Sequence, residues 1–393
     1  MKILHNSAMA LVAVLMTATF ATTVVAAEQG VTDNEILVGS VGVMTGPYYI
    51  YGKLTMNGLE AVFDKVNEAG GVHGRKLRLV REDDFCKPEG AIAAVKKLIY
   101  DHKVFAIVGG ACSNATLAAK PEIVRSGIPF NVFAAVADGI TSPPSPNIFT
   151  TTLTAAIESR SQLKWALDKG AKRIAVVAQH DAWGRSRYEP LIAAMKAKGM
   201  TPVADEEMTL DTNDATVHIL KAMNAKADAV IMILYPKPGA VLMRDAIKLG
   251  FKPIWIGQTA INDWDNFEGL IGIKGSLKDF STITAVLYQP NDPEMKEWTA
   301  RIKKLFPNDN LSTFNQNGIG AGQVFVEALK RAGPNPTRAS FLKAMGSLKN
   351  FKTDVYPGPI TCNSPKSHQC NQSPAWLGEV DGKVKLIGVT TLN

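Results

Sequence analysis

A chain of 393 residues, 46% hydrophobic and 20% charged, is too long for one ordinary core and holds enough apolar material for two, which excludes wholesale disorder. Its net charge of +7 is scattered. The densest clusters, Arg75-Lys76-Leu77-Arg78 and Arg301-Ile302-Lys303-Lys304, read as a strand start and one helix face, so no basic stripe or interleaved aromatic run marks a nucleic-acid surface.

The first segment is a processing signal. Lys2 precedes the apolar stretch Ala8 to Ala21, and small residues follow in Val24-Val25-Ala26-Ala27. This pattern predicts a secretory signal, residues 1–27, cleaved after Ala26 or Ala27. The apolar run is short for a membrane span, and no Cys stands at the cleavage site for a lipid anchor. The expectation is an exported protein, in the periplasm, without stable membrane insertion.

Short apolar strands then alternate with amphipathic helices. Ile36 to Val43 reads as a buried strand and Gly52 to Ala69 as a helix, with Leu59, Val62, Phe63 and Val66 at helical spacing and Gly70-Gly71 as its stop. Lys76 to Arg81 is a strand, Pro88 opens a helix, Val104 to Val108 is a strand, Thr116 to Arg125 a helix, and Pro129 to Ala134 the next strand. Past the Pro-rich loop Ser142 to Pro146 a second run follows. It reads helix Ile157 to Asp168, strand Arg173 to Ala178, helix Tyr188 to Lys198 and a strand ending at Leu210. Helix Ala215 to Asn224, strand Ala229 to Leu234, helix Ala240 to Leu249 and strand Pro253 to Ile256 complete it. Two consecutive α/β modules with parallel sheets flanked by helices are therefore expected. The tail adds helices Phe314 to Ala332 and Thr337 to Met345, then a strand, Lys383 to Thr390, after the hairpin turn Asp381-Gly382.

Four cysteines, Cys86, Cys112, Cys362 and Cys370, suit disulfides in an exported protein. Three pairings are possible; the sequence-local one joins Cys86 to Cys112 and Cys362 to Cys370. Cys362, His368 and Cys370 lack a fourth metal ligand, and Asp263, Asp265 and Glu268 lack the glycine and ligand count of a calcium loop, so no metal is expected. Gly318-Ile319-Gly320-Ala321-Gly322 lies in a helix without dinucleotide-site spacing and reads as close helix packing. No phosphate loop, nucleophile elbow or acid–base pattern is present; neither a cofactor nor an enzymatic activity is expected.

Three segments carry a resemblance. They are Val41-Gly42-Val43-Met44-Thr45-Gly46-Pro47 with Tyr51-Gly52, Asn67-Glu68-Ala69-Gly70-Gly71-Val72-His73-Gly74-Arg75, and the pair Asp83 to Pro88 and Gly109 to Ser113. In this combination the chain resembles the branched-chain amino-acid-binding family of periplasmic proteins, from about residue 34 to the end. The resemblance implies a two-lobed type I periplasmic binding protein fold with three hinge crossovers. Lobe 1 would take 28–152 and 283–353, and lobe 2 would take 153–282 and 354–393. It also implies the Cys86–Cys112 disulfide, a small-molecule ligand in the interlobe cleft, and the permease subunits of an ABC transporter as partners of a monomer.

Carried over residue by residue, Ser113 would hold the ligand carboxylate at a helix N-terminus. Ala134-Ala135-Val136 stands where the family has Ala-Ala-Thr, and Thr259 stands where it has the glutamate that pairs with the ligand ammonium. Loss of that hydroxyl and that charge predicts a carboxylate without an α-ammonium. Tyr51, Trp183 and Tyr235 match cleft aromatics, with Phe314 and Asn317 beside them, which predicts an aromatic acid of hydroxybenzoate or phenylpropenoate type. The alternatives are a branched-chain or other amino acid, and presentation of the ligand to a separate sensor. His180, Arg185 and Lys237 would serve a second anionic group or, more simply, be solvated surface residues.

Overall fold

The structure is a computed structural model that describes residues 28–363 and 367–390; the expected signal, residues 1–27, lies outside them. The chain runs β1 (Glu35–Gly42), α1 (Thr55–Glu68), β2 (Lys76–Asp83), α2 (Pro88–Lys96), β3 (Ala106–Gly109), α3 (Ser113–Ser126), β4 (Phe130–Val132) and β5 (Ile148–Thr150). It continues through α4 (Ala155–Asp168), β6 (Ile174–Gln179), α5 (Ala182–Ala197), β7 (Ala204–Met208), α6 (Thr216–Asn224), β8 (Ala229–Ile233), α7 (Pro236–Lys248), β9 (Ile254–Gly257), α8 (Trp264–Ile271) and β10 (Phe280–Thr284). Last come α9 (Lys296–Leu305), α10 (Thr313–Ala332), α11 (Arg338–Gly346), β11 (Ala375–Val380) and β12 (Lys383–Val389).

Strands β3, β6 and β8 are buried along their whole length, as strands covered on both faces must be. They build two sheets. The first has the order β2-β1-β3-β4-β5 and is parallel throughout. The second, β12-β11-β10-β9-β8-β6-β7, is parallel from β7 to β10 and ends in an antiparallel hairpin. Asp381 (φ 54°) and Gly382 (φ 71°) turn that hairpin, the pair of positive φ angles that a two-residue turn needs.

Three crossovers join the lobes: β5 to α4, β10 to α9, and the stretch before β11. The third is braced against the first, where Thr150 N donates to His368 O and Cys370 N to Thr150 O. Val355, Tyr356, Ile360, Cys362 and Cys370 belong to the core of the first lobe. The second lobe therefore regains the chain only near β11, later than the expected boundary at 354. Both disulfides, Cys86–Cys112 and Cys362–Cys370, are formed. His368 stacks flat on Phe149, 4.2 Å between centroids. Among the described residues no cluster of His, Cys, Asp or Glu has metal-holding geometry, and no helix is long and apolar enough to cross a membrane.

The basic cluster near Arg301 is spent on ion pairs: Arg301 and Lys304 reach Asp64 and Glu68 of α1. Several helix starts differ from the sequence expectation; α7, for one, begins at Pro236, four residues before Ala240. α3 begins at Ser113, with Cys112 as its N-cap, three residues before Thr116. α5 begins at Ala182, where the Asp181 carboxylate accepts from Gly184 N at 2.8 Å, six residues before Tyr188.

Candidate functional site

A pocket lies between the lobes at the C-terminal ends of the parallel strands, where loops leave room for a ligand. It brings together all nine residues singled out from sequence: Tyr51, Ser113, Ala134, Val136, Trp183, Tyr235, Thr259, Phe314 and Asn317. Tyr48, Asn114, Arg187, the Cys86–Cys112 disulfide and the crossover residues Thr152 and Ala285 also line it.

Five aromatic rings, from Tyr48, Tyr51, Trp183, Tyr235 and Phe314, line it. Tyr51 stands in the wide turn Ile50–Leu54 that leads into α1, and meets Phe314 edge-on at 4.9 Å. Trp183, on the first turn of α5, stacks on Tyr235 at 4.3 Å. Tyr235, from the second lobe, meets Tyr48 and Tyr51 of the first at 5.5 and 6.2 Å, so these rings also join the two lobes. Burial pushes the Tyr51 and Tyr235 phenols well above their usual range, which keeps both hydroxyls neutral at physiological pH.

The polar groups include both donors and an acceptor. Ser113 Oγ accepts from both Val136 N and Ala137 N at 3.3 Å. Its acceptor capacity is filled, and its own proton remains to donate into the pocket it lines. Ser113 also opens α3, whose first-turn N–H groups have no intrahelical partners. The Ala134 and Ala135 N–H groups both donate to Gly110 O. The segment from Ala134 to Ala137 thus spends its amides on bonds within the protein. Asn317 presents a buried side-chain oxygen without a partner.

Thr259 donates its hydroxyl to Glu158 Oε1 at 2.6 Å. Glu158 is a fully buried carboxylate that sequence reading missed, and it brings an acid close to the position where the resemblance lacks one. That acid is committed: Arg187 Nε and Nη2 lie 3.0 and 3.4 Å from its two oxygens. Arg187 was missed as well. It lies four residues after Trp183, on the same face of α5, with its guanidinium carbon 4.1 Å from the centre of the Trp183 ring. The signal was the Asp181 N-cap, which places both residues in one helix. His180, Arg185 and Lys237 are exposed and outside the pocket; His180 pairs with Glu207 at 2.6 Å.

A family profile described as periplasmic binding protein matches residues 35–385. The Leu/Ile/Val-binding protein of Escherichia coli (strain K12) is 26% identical over 329 residues, covering 84% of this chain and 86% of that one. A Leu/Ile/Val-binding protein homologue of Brucella melitensis is 22% identical over 82% of this chain and 86% of its own. Among solved structures, a solute-binding protein of an ABC transporter from R. palustris, in complex with 4-hydroxybenzoate, superposes with a TM-score of 0.76 at 21% identity, covering 91% of this chain and 97% of that one. A branched-chain amino acid transporter substrate-binding protein from Streptococcus pneumoniae, in complex with isoleucine, gives 0.76 at 18% identity over 90% of this chain and 100% of its own.

Proposed function

Since the chain belongs to the periplasmic binding protein family, a family of transport binding proteins, we propose that it captures a small aromatic monocarboxylate and presents it, as an exported monomer, to the permease of an ABC importer. The chain is a solute-binding protein of an ABC transporter.

One observation carries the aromatic-acid reading: Glu158, the carboxylate bonded to the lining residues Arg187 and Thr259, is already held by them. An α-ammonium entering this site would meet a guanidinium, neutral phenols and the uncharged Asn317 oxygen, with no carboxylate among the lining residues. Burying an ammonium without a counter-ion costs several kcal/mol. A carboxylate instead meets the Ser113 hydroxyl and the N-terminus of α3, where the helix dipole favours negative charge. The rings of Tyr48, Tyr51, Trp183, Tyr235 and Phe314 suit a planar body between them. Only a closed cleft touches the solute from both lobes, so binding favours closure, and the closed form is the one a permease would recognise.

The second reading, a branched-chain amino acid, is favoured by the names of the curated relatives. It requires Glu158 to leave Arg187. A thermal-shift screen of ligand-stripped protein decides between them, using leucine, valine, phenylalanine, 4-hydroxybenzoate, 4-coumarate, phenylacetate and malate. Aromatic acids should raise the melting temperature by mass action, and leucine and valine should not. Ser113→Ala should weaken aromatic-acid binding by about tenfold or more, the usual worth of a hydrogen bond to a charged group. A shift with leucine or valine alone would overturn the aromatic-acid reading.

A further inference from the structure

Arg187 keeps one donor that the protein itself does not use. Nε and Nη2 face Glu158, and the guanidinium carbon lies over the Trp183 ring. Nη1 is buried without a hydrogen-bond partner, on a side chain 1% exposed that lines the pocket. A buried, unpaired guanidinium N–H is a costly arrangement, and an acceptor brought by the solute relieves it. Arg187 belongs to the second lobe and Ser113 to the first, so the two donors stand on opposite sides of the cleft.

We infer that Arg187 Nη1 holds a neutral oxygen at the end of the solute remote from its carboxylate, which makes the solute class an oxygenated aromatic monocarboxylate. This rests on the aromatic-acid reading of the pocket. The sign of the charges selects the neutral group. Arg187 and Glu158 already cancel, both of them at most 1% exposed. A hydroxyl, ether or carbonyl oxygen satisfies Nη1 and leaves that balance intact. A second carboxylate would leave one buried negative charge in excess, and an ammonium would face the guanidinium directly. An alkyl group would leave Nη1 unpaired. The oxygen contact also ties the solute to the second lobe, so it acts only when the cleft is closed.

The test is calorimetric titration of the wild-type protein with benzoate, 4-methylbenzoate, 4-hydroxybenzoate, 4-methoxybenzoate and the dicarboxylate terephthalate. The two oxygenated monoacids should bind about tenfold or more tighter than benzoate and 4-methylbenzoate, and terephthalate should not exceed them. Arg187→Met alone would strand the Glu158 charge, so the informative variant is the double change Arg187→Met with Glu158→Gln. In it the preference for the oxygenated acids should shrink to about threefold or less, with benzoate still bound. Equal binding of benzoate and the oxygenated acids by the wild type, tightest binding of terephthalate, or an unchanged preference in the double variant each overturns the role of Arg187 while leaving the aromatic-acid reading standing. Failure of every aromatic acid, with leucine bound, overturns both.

Discussion

Asp83 accepts hydrogen bonds from Met44 N, Thr45 Oγ1 and Phe85 N, which ties the cleft loop after β1 to the end of β2. Its neighbour Asp84 is 1% exposed and accepts from Cys86 N, on the cysteine whose disulfide lines the pocket. Burial pushes the Asp84 carboxyl from 3.8 up to about 6. Below about pH 4 the group is protonated in the folded and unfolded chains alike. Between about pH 4 and about pH 6 the unfolded chain ionises while the folded one still holds its proton, so stability falls as pH rises through this window. The gap corresponds to about 3 kcal/mol. In Asp84→Asn that slope should vanish, so urea denaturation across the window should find the variant gaining on the wild type as pH rises. Parallel profiles would show that Asp84 stays ionised in the folded protein. The pair Asp83-Asp84 is legible in the sequence as a motif, but the opposite fates of its members are not, because burial depends on the disulfide and α2 packed beside it. The site divides in the same way. Tyr51, Ser113, Trp183 and Tyr235 could be placed by resemblance. Arg187 and Glu158 could not, because their meaning lies in a contact between two helices whose start positions the sequence left uncertain.

Helices α1 and α10 approach so closely that their backbones touch. A Cβ on Gly318 would lie 1.8 Å from Thr55 O, and one on Gly58 would lie 1.9 Å from Asn315 O. Asn315 Nδ2 also donates to Leu54 O, at the same crossing. This spacing sets the Tyr51–Phe314 contact, since one ring precedes α1 and the other opens α10. Replacing a helical glycine by alanine normally gains about 1 kcal/mol of helix propensity. At Gly318 the overpacking term, about 1–3 kcal/mol and larger where backbone is struck, should win. Gly318→Ala should therefore destabilise by about 2 kcal/mol, and Gly269→Ala, in α8 with nothing within 4 Å of its Cβ, should stabilise by up to about 1 kcal/mol. Chemical denaturation of both variants is the measurement; a Gly318→Ala protein as stable as Gly269→Ala would remove close packing as the reason for the glycine. The glycine run of α10 was legible as a packing face for a physical reason: its spacing fits no phosphate turn. Elements that alternate regularly, such as β1, α1, β6 and β8, were equally legible. β5, three residues long, and β10, which mixes polar and apolar positions, were not. Their burial comes from neighbouring strands rather than from their own pattern.

At the scale of the molecule, affinity and closure are coupled, because the pocket has walls in both lobes. The Tyr48, Tyr51 and Tyr235 contacts span the cleft but also line the pocket, so a change there alters the solute's surroundings and the lobe equilibrium together. Asn262 and Thr313 separate the two effects. Thr313 Oγ1 donates to Asn262 Oδ1 at 3.0 Å, joining the start of α10 in the first lobe to the segment after β9 in the second, and neither residue lines the pocket. Asn262 is fixed from its own lobe by Thr284 at 3.3 Å. Thr313→Val leaves a buried amide oxygen without its donor, a loss of about 1–3 kcal/mol in whichever state makes the bond. If that state is the closed one alone, the loss falls on closure. Every solute should then bind about tenfold more weakly, with the order of preference among aromatic acids unchanged, because the apparent dissociation constant scales with the closed fraction. Arg187 variants should do the reverse, changing the order of preference among solutes. Titration of Thr313→Val with the same benzoates reads this directly. Unchanged dissociation constants together with a lowered melting temperature would mean that the bond persists when the lobes part, and that it belongs to the hinge rather than to the closed face.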